Sequence, residues 1–105
     1  MVSENLDNKM AETIAETDAY AYLKRGTEHI NKKDYDQAIA DISEAIRLDP
    51  TCALSLYTRA LAHVDRNDVK HAIVDLEAAV QLDPNHDKAG DLLKKLLAST
   101  TTATC

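Results

Sequence analysis

An all-α fold, a superhelix of antiparallel helix pairs, is what the 105-residue sequence predicts, and three observations carry that expectation. Two Gly and two Pro are too few for a sheet protein, whose many turns need residues that tolerate positive φ or fix it. Apolar residues make up 45%, yet Trp and Phe are absent, so the core must be aliphatic, built from Ala, Ile, Leu and Val. Pro50 and Pro84 each close a Leu-Asp-Pro triplet, 34 residues apart. Laid without gaps over 53–86, residues 19–52 match at eleven of 34 positions, where composition alone gives roughly two. Arg25/Arg59, His29/His63, Asp34/Asp68 and Asp41/Asp75 are among the identities, and Ile30/Val64, Ile42/Leu76 and Ile46/Val80 keep their chemistry. The chain is a tandem repeat, long enough for one domain.

Each element follows from local pattern. Residues 1–18 carry Glu4, Asp7, Glu12, Glu16 and Asp18 against Lys9, with Leu6, Met10 and Ile14 four apart. That spacing suits a helix over 4–17, and both docking as an N-terminal cap and staying loose are open. The first half of each repeat, about 19–32 and 53–66, reads as a helix with apolar residues on two faces, Tyr22 and Gly26 on one, Leu23 and Ile30 on another. Lys32-Lys33-Asp34 and Arg66-Asn67-Asp68 leave room only for a tight turn. The second helices follow, with Tyr35, Ala38, Ile39, Ile42, Ala45 and Ile46 on one stripe, repeated by Val69, Ala72, Ile73, Leu76, Ala79 and Val80. Asp34 and Asp68 suit their N-caps, and Pro50 and Pro84 stop them, because proline lacks an N–H and disfavours helix in its predecessor. Asn85 is the expected cap of a last helix, 87–98, whose Leu92, Leu93, Leu96 and Leu97 cover the open end of the stack. The domain is thus expected over 19–98, with a patternless tail at 99–105.

Charge and motif content narrow the function. A net charge of −6, with no run of Lys or Arg longer than two, disfavours nucleic acid and anionic membranes as partners. No apolar run approaches the roughly 18 residues of a membrane span, and the acidic N-terminus resembles no targeting signal. Cys52 and Cys105 form neither a metal spacing nor a disulfide framework and suit a reducing, cytoplasmic setting. Gly26 and Gly90 alone cannot build a phosphate-binding loop. His29 and His63 occupy equivalent, semi-buried packing positions, and two His without a third ligand make a weak metal signal. His71 and His86 are expected on exposed faces. No nucleophile, base and orienting group come together, so the chain is expected to be no enzyme, with no catalytic residue, cofactor or metal.

A 34-residue helix–turn–helix unit ending in Asp-Pro resembles the tetratricopeptide repeat (TPR). The matching residues are Tyr22, Gly26, Tyr35, Ala38, Ile42, Ala45 and Pro50, then Leu56, Ala60, Val69, Ala72, Leu76, Ala79 and Pro84. The resemblance covers 19–52 and 53–86 as two repeats, and 87–97 resembles the family's capping helix. Small residues at Gly26/Ala38 and Ala60/Ala72 let paired helices approach closely. His29 and His63 stand where the family usually has Tyr, and Lys33 and Asn67 where it often has Gly. Arg25 and Arg59 stand where many members have Leu, each 16 residues before Asp41 or Asp75. That recurrence predicts an Arg–Asp pair, within a repeat or across the joint from Asp41 to Arg59.

The resemblance also implies a function, a protein–protein interaction module or adaptor. It places Tyr20, Leu23, Thr27, Ile30, Leu54, Tyr57, Leu61 and Val64 along a concave, largely apolar groove for a partner peptide or helix. Asn31, Asp65 and Lys88 form its polar rim, and Lys88 completes the expected binding set. Co-chaperone members hold acidic C-terminal tails with a Lys/Asn/Asn/Lys/Arg clamp. Those positions fall here on Leu23, Thr27, Thr58, Lys88 and Leu92, so only Lys88 fits and that mode is not expected. The alternative is a self-associating scaffold, a homo-oligomer in which the groove or open end is filled by another copy, or the groove by the chain's own N-terminal segment.

Overall fold

The computed structural model describes residues 19–104, which form five helices and no strand. They are α1 (residues 19–31), α2 (Tyr35–Leu48), α3 (Ala53–Asp65), α4 (Val69–Leu82) and α5 (Asp87–Thr104). The expected helix over 4–17, with Leu6, Met10 and Ile14, lies outside the described residues, as does Cys105.

The turns inside the two repeats have one geometry. Asp34 N–H donates to the His29 carbonyl at 2.8 Å and Lys33 N–H to Ile30 at 2.9 Å. Thirty-four residues on, Asp68 N–H donates to His63 at 2.7 Å and Asn67 N–H to Val64 at 2.9 Å. These bonds close the first helix of each repeat onto a left-handed residue, Lys33 at φ 63° and Asn67 at φ 66°. Asn tolerates that region, whereas a side chain such as Lys is held there against a cost of about 1 kcal/mol. The caps that follow differ. Asp68 accepts from the His71 N–H at 3.3 Å, while Asp34 makes no side-chain cap bond.

Between repeats, Asp49 (φ −142°, ψ 87°) and Asp83 (φ −141°, ψ 88°) adopt the extended backbone that a following Pro demands. Asp49 Oδ1 accepts from the Thr51 N–H at 3.2 Å and Asp83 Oδ1 from the Asn85 N–H at 3.1 Å, so both turns are locked by the same carboxylate position. The cap of α5 is His86 rather than Asn85: its Nδ1 accepts from the Ala89 N–H at 3.1 Å. Helix α5 also continues to Thr104, past the expected end at 98. The tail 99–104 lacks an apolar stripe but has no Gly or Pro to stop a helix already nucleated upstream.

The helices pack in chain order, α2 on α3, α3 on α4 and α4 on α5. One core cluster joins Leu23 of α1 to Ala38, Ile42 and Ala45 of α2 and Ala62 of α3. A second joins Leu56 and Ala60 of α3 to Ala72, Leu76 and Ala79 of α4 and Ala89 and Leu96 of α5. Ile46 packs against both and makes them continuous. Small residues set the helix spacing: a Cβ on Gly26 would lie 3.0 Å from Ile42 Cδ1 and 3.2 Å from the Ala38 carbonyl oxygen. Gly26 is therefore required by close approach of α1 to α2. Gly90 differs, since a Cβ there meets nothing within 4 Å.

Candidate functional site

Helices α1 and α3 carry the first half of their repeats and lie side by side, leaving an open groove of about 500 Å³ between them. Tyr20, Leu23, Thr27 and Ile30 of α1 and Leu54 and Leu61 of α3 line it, six of the nine residues expected at the binding face. Tyr57, Val64 and Lys88 do not. Tyr57 is half-buried with its ring 5.1 Å from that of His86, and Val64 packs on the α3–α4–α5 cluster. Lys88 is exposed on α5. Both Tyr57 and Val64 pack against the core cluster that α3 shares with α4 and α5, where Ala60 and Ala72 are fully buried.

The groove also takes in Lys24, Glu28, Asn31 and Thr58. Asn31 is the expected rim residue and Thr58 stands at a clamp position, whereas Lys24 and Glu28 are not among the residues expected there. A helical stripe at 20, 24, 27, 28 and 31 was the signal that could have found them. Leu23 is only 7% exposed, so it belongs to the core as much as to the groove floor, whereas Tyr20 at 64% and Leu54 at 50% stand open to water. The two threonine hydroxyls in the wall donate to their own helices: Thr27 Oγ1 to the Leu23 carbonyl at 2.9 Å and Thr58 Oγ1 to that of Leu54 at 2.7 Å. A smaller pocket of about 230 Å³ continues the groove past Tyr20 toward Ala19, Asp49 and Cys52.

Ion pairs join the two helices of each repeat. Arg25 meets Asp41 with two bonds of 2.8 Å, and Arg59 meets Asp75 with two more of 2.8 Å. Each pair lies within one repeat. The joint is bridged instead by Arg59 Nη1, which donates to Ser43 Oγ of the preceding repeat at 3.0 Å, and by an exposed ion pair of 2.9 Å between Arg66 and Asp36. The hydrogen bond from Arg25 holds the Asp41 carboxyl below its ordinary range, against the opposing effect of burial. Asp41 and Asp75 are buried, so their charges depend on these guanidinium forks.

The histidines sit beside the same carboxylates. His29 Nε2 lies 3.4 Å from Asp41 Oδ2, and His63 Nε2 lies 3.7 Å from Asp75 Oδ2. Burial lowers the His63 pKa despite Asp75 and Asp68 nearby, and the Nδ1 atoms of His29 and His63 are buried without a hydrogen bond. His71 and His86 do more than face solvent. His71 stacks on His63 with ring centres 5.2 Å apart and places Nδ1 2.7 Å from Asp68 Oδ2, while His86 caps α5. Among the described residues, no group of three or more His, Cys, Asp or Glu is placed to hold a metal ion. No helix among them is long and apolar enough to cross a membrane.

Solved structures share this geometry. The Sgt2 TPR domain from Aspergillus fumigatus superposes with a TM-score of 0.75 at 24% identity, over 80% of this chain and 56% of that one. This chain thus spans little more than half of that domain. The second TPR of Spaghetti (RPAP3), bound to the HSP90 peptide SRMEEVD, gives 0.79 at 22% identity over 89% of this chain and 85% of that one. The second TPR domain of human RPAP3, in complex with an HSP70 peptide, gives 0.72 at 24% over 82% and 73%. At such identities the likeness speaks for fold alone. No curated protein sequence matches the chain. The tetratricopeptide repeat model does match, over residues 27–98. With that match across most of its length, and with the 34-residue helix pairs and their shared turns, the chain belongs to the tetratricopeptide repeat family.

Proposed function

We propose that the chain is a non-enzymatic protein-interaction module that captures a partner protein in the α1–α3 groove. The observation that carries this reading is the pair of open apolar side chains, Tyr20 and Leu54, at the mouth of a groove with an apolar floor. Covering such surface is favourable by about 25 cal/mol for each Å² removed from water, and contiguous apolar surface of this kind marks partner sites. The RPAP3 domains of the same fold, each bound to a chaperone peptide, support the general mode. Co-purification with wild type and with Tyr20→Asp/Leu54→Asp tests it. Both positions are exposed, so the variant keeps its core, whereas Leu23→Asp would break it. Equal partner recovery by both proteins would sink the groove assignment.

Self-association is the second reading, favoured by Val74 and Leu82 of α4, apolar side chains 60% and 44% exposed that do not line the groove. Sedimentation across concentration separates the two, because a strict monomer at high concentration removes the homo-oligomer.

A further inference from the structure

We infer that Cys52 is a covalent modification site whose ligands are small, uncharged α,β-unsaturated carbonyl compounds. Cys52 is the N-cap residue of α3, but its side chain makes no cap hydrogen bond, and the thiol is free and half-buried. It lines the pocket of about 230 Å³ that continues the groove past Tyr20. A thiol at a helix start is no site by itself, and Ser55 makes it one. Ser55, at the third position of α3, lines the same pocket and is only 3% exposed. Its hydroxyl has no hydrogen-bond partner among the described residues, whereas Thr27 and Thr58 of the adjoining groove bond their own helices. A buried hydroxyl left unpaired is costly, and an acceptor oxygen brought in by a ligand removes that cost.

The rest of the pocket sets size and charge. A volume of about 230 Å³ equals the share of about eight molecules in liquid water, so it suits a molecule of about that many non-hydrogen atoms. Tyr20, Leu23 and Leu54 give it apolar walls. Asp49 is the one charged residue among the described lining residues, and Thr51 holds its Oδ1 through N–H and Oγ1. That carboxylate, in a chain of net charge −6, disfavours an anionic reagent. The ligand that answers these features is uncharged and carries a carbonyl oxygen for Ser55 and an electrophilic carbon for Cys52.

A conjugated enone or enal supplies both. Side chains at the N-cap and at the third helical position meet at a helix start. With Cys52 Sγ at the β-carbon, the carbonyl oxygen at the far end of the conjugated unit comes to the Ser55 hydroxyl. The step balances without an oxidant. The thiol gives its proton to water, Sγ forms the S–C bond at the β-carbon, and the π pair moves to the carbonyl oxygen. The enolate then takes a proton from water at the α-carbon. Ser55 O–H donates to the oxygen as charge develops on it, which stabilises the transition state. The sum is addition of S–H across the C=C bond, and it proceeds whether or not a partner protein uses the groove.

The 105-residue chain carrying Cys105→Ser, with Cys52 as its one remaining thiol, tests this with 2-cyclohexen-1-one and intact-mass spectrometry. The rate of adduct formation is expected to saturate with reagent, because binding precedes the bond, and at low reagent to exceed that of N-acetylcysteinamide at least about tenfold. Adding Ser55→Ala is expected to leave the far-ultraviolet circular dichroism unchanged, since the hydroxyl bonds nothing, and to slow the limiting rate at least about tenfold. Two alkylating reagents that differ in charge read the field of the pocket. Cys52 is expected to prefer iodoacetamide over iodoacetate at least about threefold more strongly than N-acetylcysteinamide does. A rate linear in reagent and no faster than that of N-acetylcysteinamide overturns the site. An unchanged rate in the folded Ser55→Ala chain overturns carbonyl recognition and with it the ligand class. Equal preference between the two alkylating reagents overturns the selection for uncharged ligands. If Cys52→Ser/Cys105→Ser gains the same adduct mass at the same rate, another nucleophile reacts and the assignment to Cys52 is overturned.

Discussion

Replacing Arg59 with Met strips Asp75 of its two 2.8 Å bonds and frees Ser43, yet keeps the apolar stem that fills the joint between repeats. Asp75 has a side-chain exposure of 5%, so the carboxylate left behind is buried with only the more distant His63 beside it. Breaking a buried pair from one side costs about 3–5 kcal/mol. The Arg59 side chain is 24% exposed, which lets water reach the vacated space and brings the expected loss to about 2–3 kcal/mol. For a domain of this size that is a fall in Tm of roughly 10–20 °C. Arg25→Met is the internal control. Its geometry with Asp41 is the same, but the Arg25 side chain is 59% exposed, so the loss must be smaller. Removing both charges in Arg59→Met/Asp75→Leu leaves no buried ion and should return stability to within about 1 kcal/mol of wild type. Urea titration followed by far-ultraviolet circular dichroism gives all four values. An Arg59→Met loss no larger than that of Arg25→Met would refute the argument that burial of the paired carboxylate sets the cost.

Other substitutions probe backbone and protons. Gly26→Ala and Gly90→Ala should move the urea midpoint in opposite directions. At Gly26 the new methyl meets Ile42 and the Ala38 carbonyl, and overpacking of about 1–3 kcal/mol outweighs about 1 kcal/mol of helix propensity. At Gly90 the space is open, and the same propensity gain of about 1 kcal/mol appears undiminished. Lys33→Gly relieves a left-handed residue and should stabilise by about 0.5–1 kcal/mol, while Asn67→Gly changes less because Asn accepts that backbone. The sign of the pH dependence follows from His63. Burial holds its folded pKa below the ordinary 6.5, so near that pH the unfolded chain binds more protons. The stability contribution is full above 6.5 and is lost as pH falls from there toward the folded value. A His63→Gln variant whose urea midpoint declines as steeply as wild type between pH 7 and 5 would show that His63 is not the responsible group.

The 34-residue register and the C-terminal ends of α2 and α4 were written in the sequence, because each is local chemistry. Pro50 and Pro84 impose extended backbone on Asp49 and Asp83 wherever the helices lie. The stripe from Ala38 to Ala45 buries Ala38, Ile42 and Ala45 for the same reason, since 3.6-residue periodicity needs no knowledge of the partner. A resemblance marked Gly26 and Ala38 as a close contact, and Ile42 is found there too. The recurrence of Arg25 and Arg59 with Asp41 and Asp75 was equally plain, but not which Arg takes which Asp.

Tertiary structure alone decided that pairing. Arg25 and Arg59 each reach the carboxylate within their own repeat, and the joint is bridged by Arg59 with Ser43 and by Arg66 with Asp36, because helix rotation sets where long side chains end. The same rotation turns Tyr57 and Val64 toward the cluster under α5 and brings Lys24 and Glu28 into the groove wall. It also puts His86 at the head of α5. These outcomes depend on the summed volumes of side chains distant in sequence, such as Ile46 wedged between two core clusters. Periodicity assigns a residue to a face of its helix. Only the packed neighbours determine whether that face meets the core, the groove or water.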